Sequence, residues 1–113
     1  MLKEAKKAMR VTHAMYDTEI AGLLEAGAAD LEVAGVILPG TVSFSYGMSD
    51  AVTDNSTLKD RLCQRAIITY ATARFGTPQN YQQIKDAYDE MKAQLMHAKD
   101  YTDYEGAGED AES

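Results

Sequence analysis

Few side chains in this sequence are of the kinds that do chemistry, and their spacing argues against most of it. A thiol nucleophile would have to be Cys63, the single cysteine, and it would need a base to draw off its proton. Cys63 instead falls among Leu62, Ala66, Ile67 and Ile68, where a lone cysteine packs as a small hydrophobe; Lys59 and Arg61 point around a separate polar strip. The two histidines, His13 and His97, are 84 positions apart, and neither stands in a metal-binding spacing such as HExxH. Glu25 and Asp30 are about 500° of helical rotation apart and cannot share a face. Asp86, Asp89 and Glu90 interleave with Lys85 and Lys92, the pattern of a solvated charged face. Asp100, Asp103 and Glu105 lack the pattern of an EF-hand calcium loop. There is no phosphate-cradling glycine loop and no nucleophile elbow. The expectation is a protein that is not an enzyme, holds no metal and needs no cofactor.

The 113 residues are one domain's worth of chain, with 45% hydrophobic and 26% charged residues, as in ordinary globular proteins. One cysteine excludes an internal disulfide framework. The opening lysines are not followed by the apolar run of a secretory signal. The longest apolar stretch, residues 33–38, is far shorter than a bilayer requires, so no membrane association is expected.

Net charge is −7, unevenly placed. Residues 100–113 hold six acids (Asp100, Asp103, Glu105, Glu109, Asp110 and Glu112) and no base, while the first ten hold Lys3, Lys6, Lys7 and Arg10 against Glu4. The chain is dipolar, basic at its leading end and acidic at its trailing end. Its bases are too few to track a phosphate backbone, so specific nucleic-acid binding is not expected.

The elements that position these residues are helical. A short basic helix over about residues 2–10 turns Leu2, Ala5 and Met9 to one side and needs something to dock on. Asp17 as cap and Glu19 in the first turn open a second helix. In it Ile20, Leu23, Leu24, Gly27, Ala28 and Leu31 form a core-facing stripe, and Gly35 is the expected terminator. Thr57 with Asp60 resembles a capping box for a third helix. Its apolar set (from Leu58, Leu62 and Cys63 through Ala66, Ile67, Ile68, Tyr70 and Ala71 to Ala73 and Phe75) covers most of its circumference, which puts it at the centre and ends it at Gly76. Thr77 and Pro78 open a fourth, whose Tyr81, Ile84, Tyr88, Met91, Leu95 and Ala98 make a narrow seam. The fold class is all-α: a small bundle of three main helices plus a short N-terminal one. Residues 1–104 form the domain, and the acidic residues 105–113 are expected to be disordered.

Between helices two and three, residues 39–57 form a long arm without helical period. Val42, Phe44, Tyr46 and Met48 alternate with small polar residues there, as in a short strand. No second strand is evident in the sequence, which leaves two alternatives. The apolar side chains fold down over the bundle, or the arm pairs with another subunit by strand addition. Seven tyrosines against two phenylalanines, with Tyr101 and Tyr104 among acids just past the last helix, also suit an interface. The opposed charges of the two ends suit head-to-tail pairing between copies.

The order of these parts is itself distinctive. A short basic helix ending in Met9-Arg10-Val11 precedes YDTEIAGLLEAGAADLEVAGV (16–36); after the long arm come LKDRLCQRAIITYATARFG (58–76), YQQIKDAYDEMKAQL (81–95) and YTDY (101–104). This order resembles the head–tail connector, adaptor or head-completion proteins of tailed bacteriophages, especially those of prophages in Gram-positive bacteria. The resemblance implies a structural protein of the virion neck, at the head–tail junction, made in the host cytoplasm. It implies a homo-oligomeric ring of uncertain copy number between portal and tail, which extends the DNA channel and completes the head. The implied partners are the portal protein and a downstream stopper or tail protein, with DNA passing through unbound. It nominates Val42, Phe44, Tyr46 and Met48 as arm contacts and Tyr101 and Tyr104 as lying near the portal, while the residues themselves nominate Lys3, Lys6, Lys7 and Arg10 as the basic contact. The alternative is a small intracellular helical module that binds one protein partner as adaptor or inhibitor.

Overall fold

Leu2 and Ala5 turn inward along one side of a short first helix, α1 (Leu2–Met9), as their spacing requires. The computed structural model describes residues 1–48, 51–76 and 79–98 of the chain. A single 3-10 turn, Ala14–Tyr16, leads into α2 (Asp17–Val33). The later helices are α3 (Arg61–Arg74) and α4 (Tyr81–His97). Three main helices and one short one make up the bundle.

α2 follows its stripe: Ile20, Leu24, Gly27, Ala28 and Leu31 are buried, joined by Ala21, with Leu23 half-buried. Its end also follows the expectation. Gly35 takes a positive φ of 100° and donates to Glu32, while the N–H of Val36 reaches back to Leu31 at 3.0 Å. Leu31 and Val36 are both buried, which completes the hydrophobic side of this Schellman turn. The start differs from expectation. Asp17 is the first helical residue rather than the cap, and its carboxylate lies 2.8 Å from Lys6 Nζ instead of on the helix's own amides.

α3 is central, touching α1, α2 and α4. Cys63, Ala66, Ile67 and Ala71 lie wholly inside. At Gly27 of α2 a side chain would meet the Tyr70 ring at 3.0 Å, so the two helices approach closely there. The expected capping box at Thr57 is replaced by a cap at Asp60, whose carboxylate accepts the Cys63 N–H at 3.0 Å. α3 therefore begins three residues later than expected. Leu58 is still buried, as extended chain packed beneath the helix. Leu62, expected in the core, is exposed.

α4 packs by one edge, as its seam predicts. Tyr88 and Leu95 are buried, Ile84, Met91 and Ala98 are half-buried, and Tyr81 is exposed. The helix begins at Tyr81; the expected Thr77–Pro78 start lies outside the described residues, as does the acidic segment 105–113.

The arm supplies its own second strand, which the sequence did not reveal. β1 (Phe44–Tyr46) pairs antiparallel with β2 (Val52–Asp54), with Phe44 opposite Asp54 and Tyr46 opposite Val52. Backbone bonds from Gly47 to Ala51, Asn55 to Ser43 and Thr57 to Thr41 carry the pairing along most of the arm. At its base, a Cβ on Gly40 would stand 2.7 Å from the Leu58 Cα, so only glycine lets the two backbones come this close.

Candidate assembly interface

The arm divides its four nominated residues by depth. Phe44 is buried in the common core, and Val42 is half-buried against it. Tyr46 is half out of the protein, its hydroxyl donating to Glu25 of α2 at 3.1 Å. Burial together with the Glu25 carboxylate holds that phenol above its ordinary range. Met48, beside the hairpin turn, is 91% exposed. Phe44 and Tyr46 therefore anchor the hairpin to the bundle, and Met48 is the apolar side chain it projects.

Beside the hairpin lies the basic helix. Asp54 of β2 accepts the Leu2 N–H at 2.9 Å and the Met1 ammonium at 2.7 Å, capping α1 from outside. Burial opposes ionisation of Asp54, but these donors and those of Ser56 outweigh it and hold the carboxyl well below the usual range. α1 ends at Arg10, which sits in the left-handed region (φ 60°) usually given to glycine.

Between α1 and β2 opens a cleft of about 670 Å³, lined by Leu2, Lys3, Lys6, Lys7, Val11 and Val52 together with Thr12, Asp17 and Asp54. Lys6 is committed to Asp17. Lys3 and Lys7 are exposed and have no ion-pair partner among the described residues. Arg10 is exposed just beyond them, as the cap residue that follows the helix. The structure thus brings Lys3, Lys6 and Lys7 to one cleft with Val52 and Asp54 of the arm, some 45 to 50 positions away in the chain, while Val42, Phe44, Tyr46 and Met48 do not line it. Tyr101 and Tyr104 lie outside the described residues. Spacing could not have revealed Asp54, because its partners are backbone groups at the far end of the chain.

The described groups weighed for catalysis sit elsewhere, most of them with a structural partner; Asp100, Asp103 and Glu105 lie outside the described residues. Burial, then Asp60, pushes the Cys63 thiol up to about 12, so at neutral pH it carries no thiolate. His13 leans on the Tyr16 ring at 5.4 Å, and His97 is exposed in the last turn of α4. Glu25 and Asp30 serve different neighbours, Tyr46 and Tyr88. On α4, Gln82 donates to Asp86 and Lys85 pairs with Asp89 at 3.0 Å, both exposed. Among the described residues no three acids, histidines or cysteines gather as metal ligands.

The structure is thus a closed helical core with a projecting hairpin and an open, lysine-rimmed cleft. The phage connector protein family matches residues 1–102. The chain belongs to that family. It is a phage structural protein of the virion neck, and its place among the head and tail proteins follows from the same match. No curated protein and no solved structure matches the chain significantly. No helix among the described residues is long and apolar enough to cross a membrane.

Proposed function

We propose that this connector assembles as a homo-oligomeric ring between the portal and the tail, extends the DNA channel and completes the filled head. Its partners in this reading are the portal protein on one side and a stopper or tail protein on the other. The observation that carries the proposal is the division of labour in the arm. Phe44 is secured in the core, while Met48 stands 91% exposed, where it stabilises the monomer little and offers a neighbour an apolar foothold. Val33 and Leu62 are exposed as well and add apolar surface for packing.

The acid balance supports a conduit. With a sequence pI near 4.7, the protein discourages passing DNA from adhering to it. A ring matching a portal's symmetry makes the contacts between copies heterologous, head to tail, and the rotation closes them. The test is electron microscopy of the purified protein alone and with its portal. Annular particles seated on the portal are the expected result, and a protein that stays monomeric and ignores the portal defeats the proposal. Truncation after Lys99 should leave the helical fold intact and impair assembly on the portal.

A further inference from the structure

Resting on the ring reading above, we propose that the cleft between α1 and β2 receives the acidic segment of residues 99–113 from a second copy of the chain. Three features of the cleft point to this occupant. Its floor is apolar, from Leu2, Val11 and Val52, and can take an aromatic ring. Its rim carries Lys3 and Lys7 without ion-pair partners among the described residues, with Arg10 next to them. Its wall is a strand edge with no pairing strand among the described residues: Gly47 bonds to Ala51 and Asn55 to Ser43, so antiparallel alternation turns the N–H and C=O groups of Val52 and Asp54 outward.

The segment answers each feature. It carries six acids against Lys99 alone, so it is the most acidic stretch of the chain. Tyr101 and Tyr104 supply the rings, and an extended backbone supplies partners for the open edge. Fifteen extended residues span about 50 Å, and the described fold is 50 Å in its longest dimension, so the segment can reach a neighbour's cleft. A second copy is the direct donor, because no residue of α3 or α4 lines the cleft while the segment departs from the end of α4. Copies joined in this way repeat one heterologous contact, which is what a ring requires.

The test uses the full-length protein and a fluorescein-labelled peptide of residues 99–113, followed by fluorescence anisotropy at low salt. The peptide should bind the wild type and bind a Lys3→Glu/Lys7→Glu variant about tenfold more weakly. A peptide with Asp103→Lys and Glu105→Lys should reverse that preference. A scrambled peptide of the same composition should bind more weakly than the native order, since charge alone does not seat the tyrosines. Circular dichroism verifies that the variant remains helical. No binding to the wild type, equal binding to the variant, or equal binding of the scrambled peptide overturns the inference. A protein that forms rings on a portal yet ignores the peptide keeps the connector reading and loses this one; a protein that binds the peptide but never joins a portal does the reverse.

Discussion

The hydroxyl of Tyr88 on α4 donates to the carboxylate of Asp30 on α2, joining two helices that are 58 positions apart in the chain. The same carboxylate takes Lys92 Nζ at 3.1 Å. The Tyr70 ring of α3 meets Tyr88 edge-on at 5.3 Å, and the Arg74 guanidinium lies 3.8 Å above Tyr70. α4 fully buries only two of its side chains, so this clasp carries an unusual share of the work of holding it in place.

Removing the hydroxyl tests that share. Tyr88→Phe keeps the ring and its packing but leaves Asp30 to Lys92 alone. The expected loss is about 1–2 kcal/mol, the range for a hydrogen bond to a charged group that retains another partner. It should appear as a lower denaturant midpoint at unchanged slope, since the buried surface is the same. An unchanged midpoint would show that packing alone holds α4.

Acid should weaken the fold through two named carboxyls. Burial opposes ionisation of Asp30, but Tyr88 and Lys92 outweigh it and lower its pKa; Asp54 is lowered by the amino end of α1 and by Ser56. Between the folded and unfolded values the unfolded chain binds more protons, so each group's stabilisation is complete above about pH 4 and lost as pH falls through the folded value. Tyr88 has the opposite sign. Burial and Asp30 raise its pKa, so its contribution is present below about pH 10 and declines at higher pH. Thermal melts across pH should show both limbs, and Asp30→Asn with Asp54→Asn should flatten the acid one.

Much of the bundle was legible because it is written in apolar spacing. The stripe from Ile20 to Leu31, the seam through Tyr88 and Leu95 and the stop at Gly35 all repeat or end a helical period. The hairpin was not legible, for a definite reason. β2 is three residues long with one apolar side chain, Val52, so it carries no period of two. Its register is held by groups that hydropathy does not register: Thr41 with Thr57, Ser43 with Ser56, and Ser45 with Asn55. The cap at Asp60 was missed similarly, because Thr57 offers the same signal three positions earlier and bonds to Thr41 across the arm instead. The cleft could be read only in its parts. Lys3 and Lys7 were evident as charges, but nothing in the spacing set Val52 and Asp54 opposite them.

The base of the arm gives a steric prediction. Gly40→Ala would push a methyl against the Leu58 Cα and amide nitrogen, at 2.7 and 2.8 Å, and both are backbone atoms that cannot swing aside. Relief requires separating the strands where Thr41 bonds to Thr57 and Leu58, at a cost of about 1–3 kcal/mol. A reduced melting temperature with faster amide exchange at Thr57 and Leu58 is the expected result. Normal protection there would mean that the base of the arm opens freely.

The last prediction separates anchor from contact within the arm. Phe44→Ala removes a buried ring from the core cluster and should cost about 3 kcal/mol or more, with exchange protection lost across the hairpin. Met48→Ser changes a side chain that is 91% exposed, so stability should stay within about 0.5 kcal/mol of wild type. Assembly should respond differently. With its fold intact, Met48→Ser should seat fewer copies on the portal, counted by electron microscopy or sedimentation, because the neighbour loses its apolar foothold. Phe44→Ala impairs assembly only as far as it frees the hairpin, so its defect should shrink at lower temperature, where the arm redocks. Met48→Ser should show no such recovery. If Met48→Ser assembles as well as wild type at every temperature, the hairpin tip faces solvent in the particle, and the exposed Val33 and Leu62 become the apolar surfaces to test next.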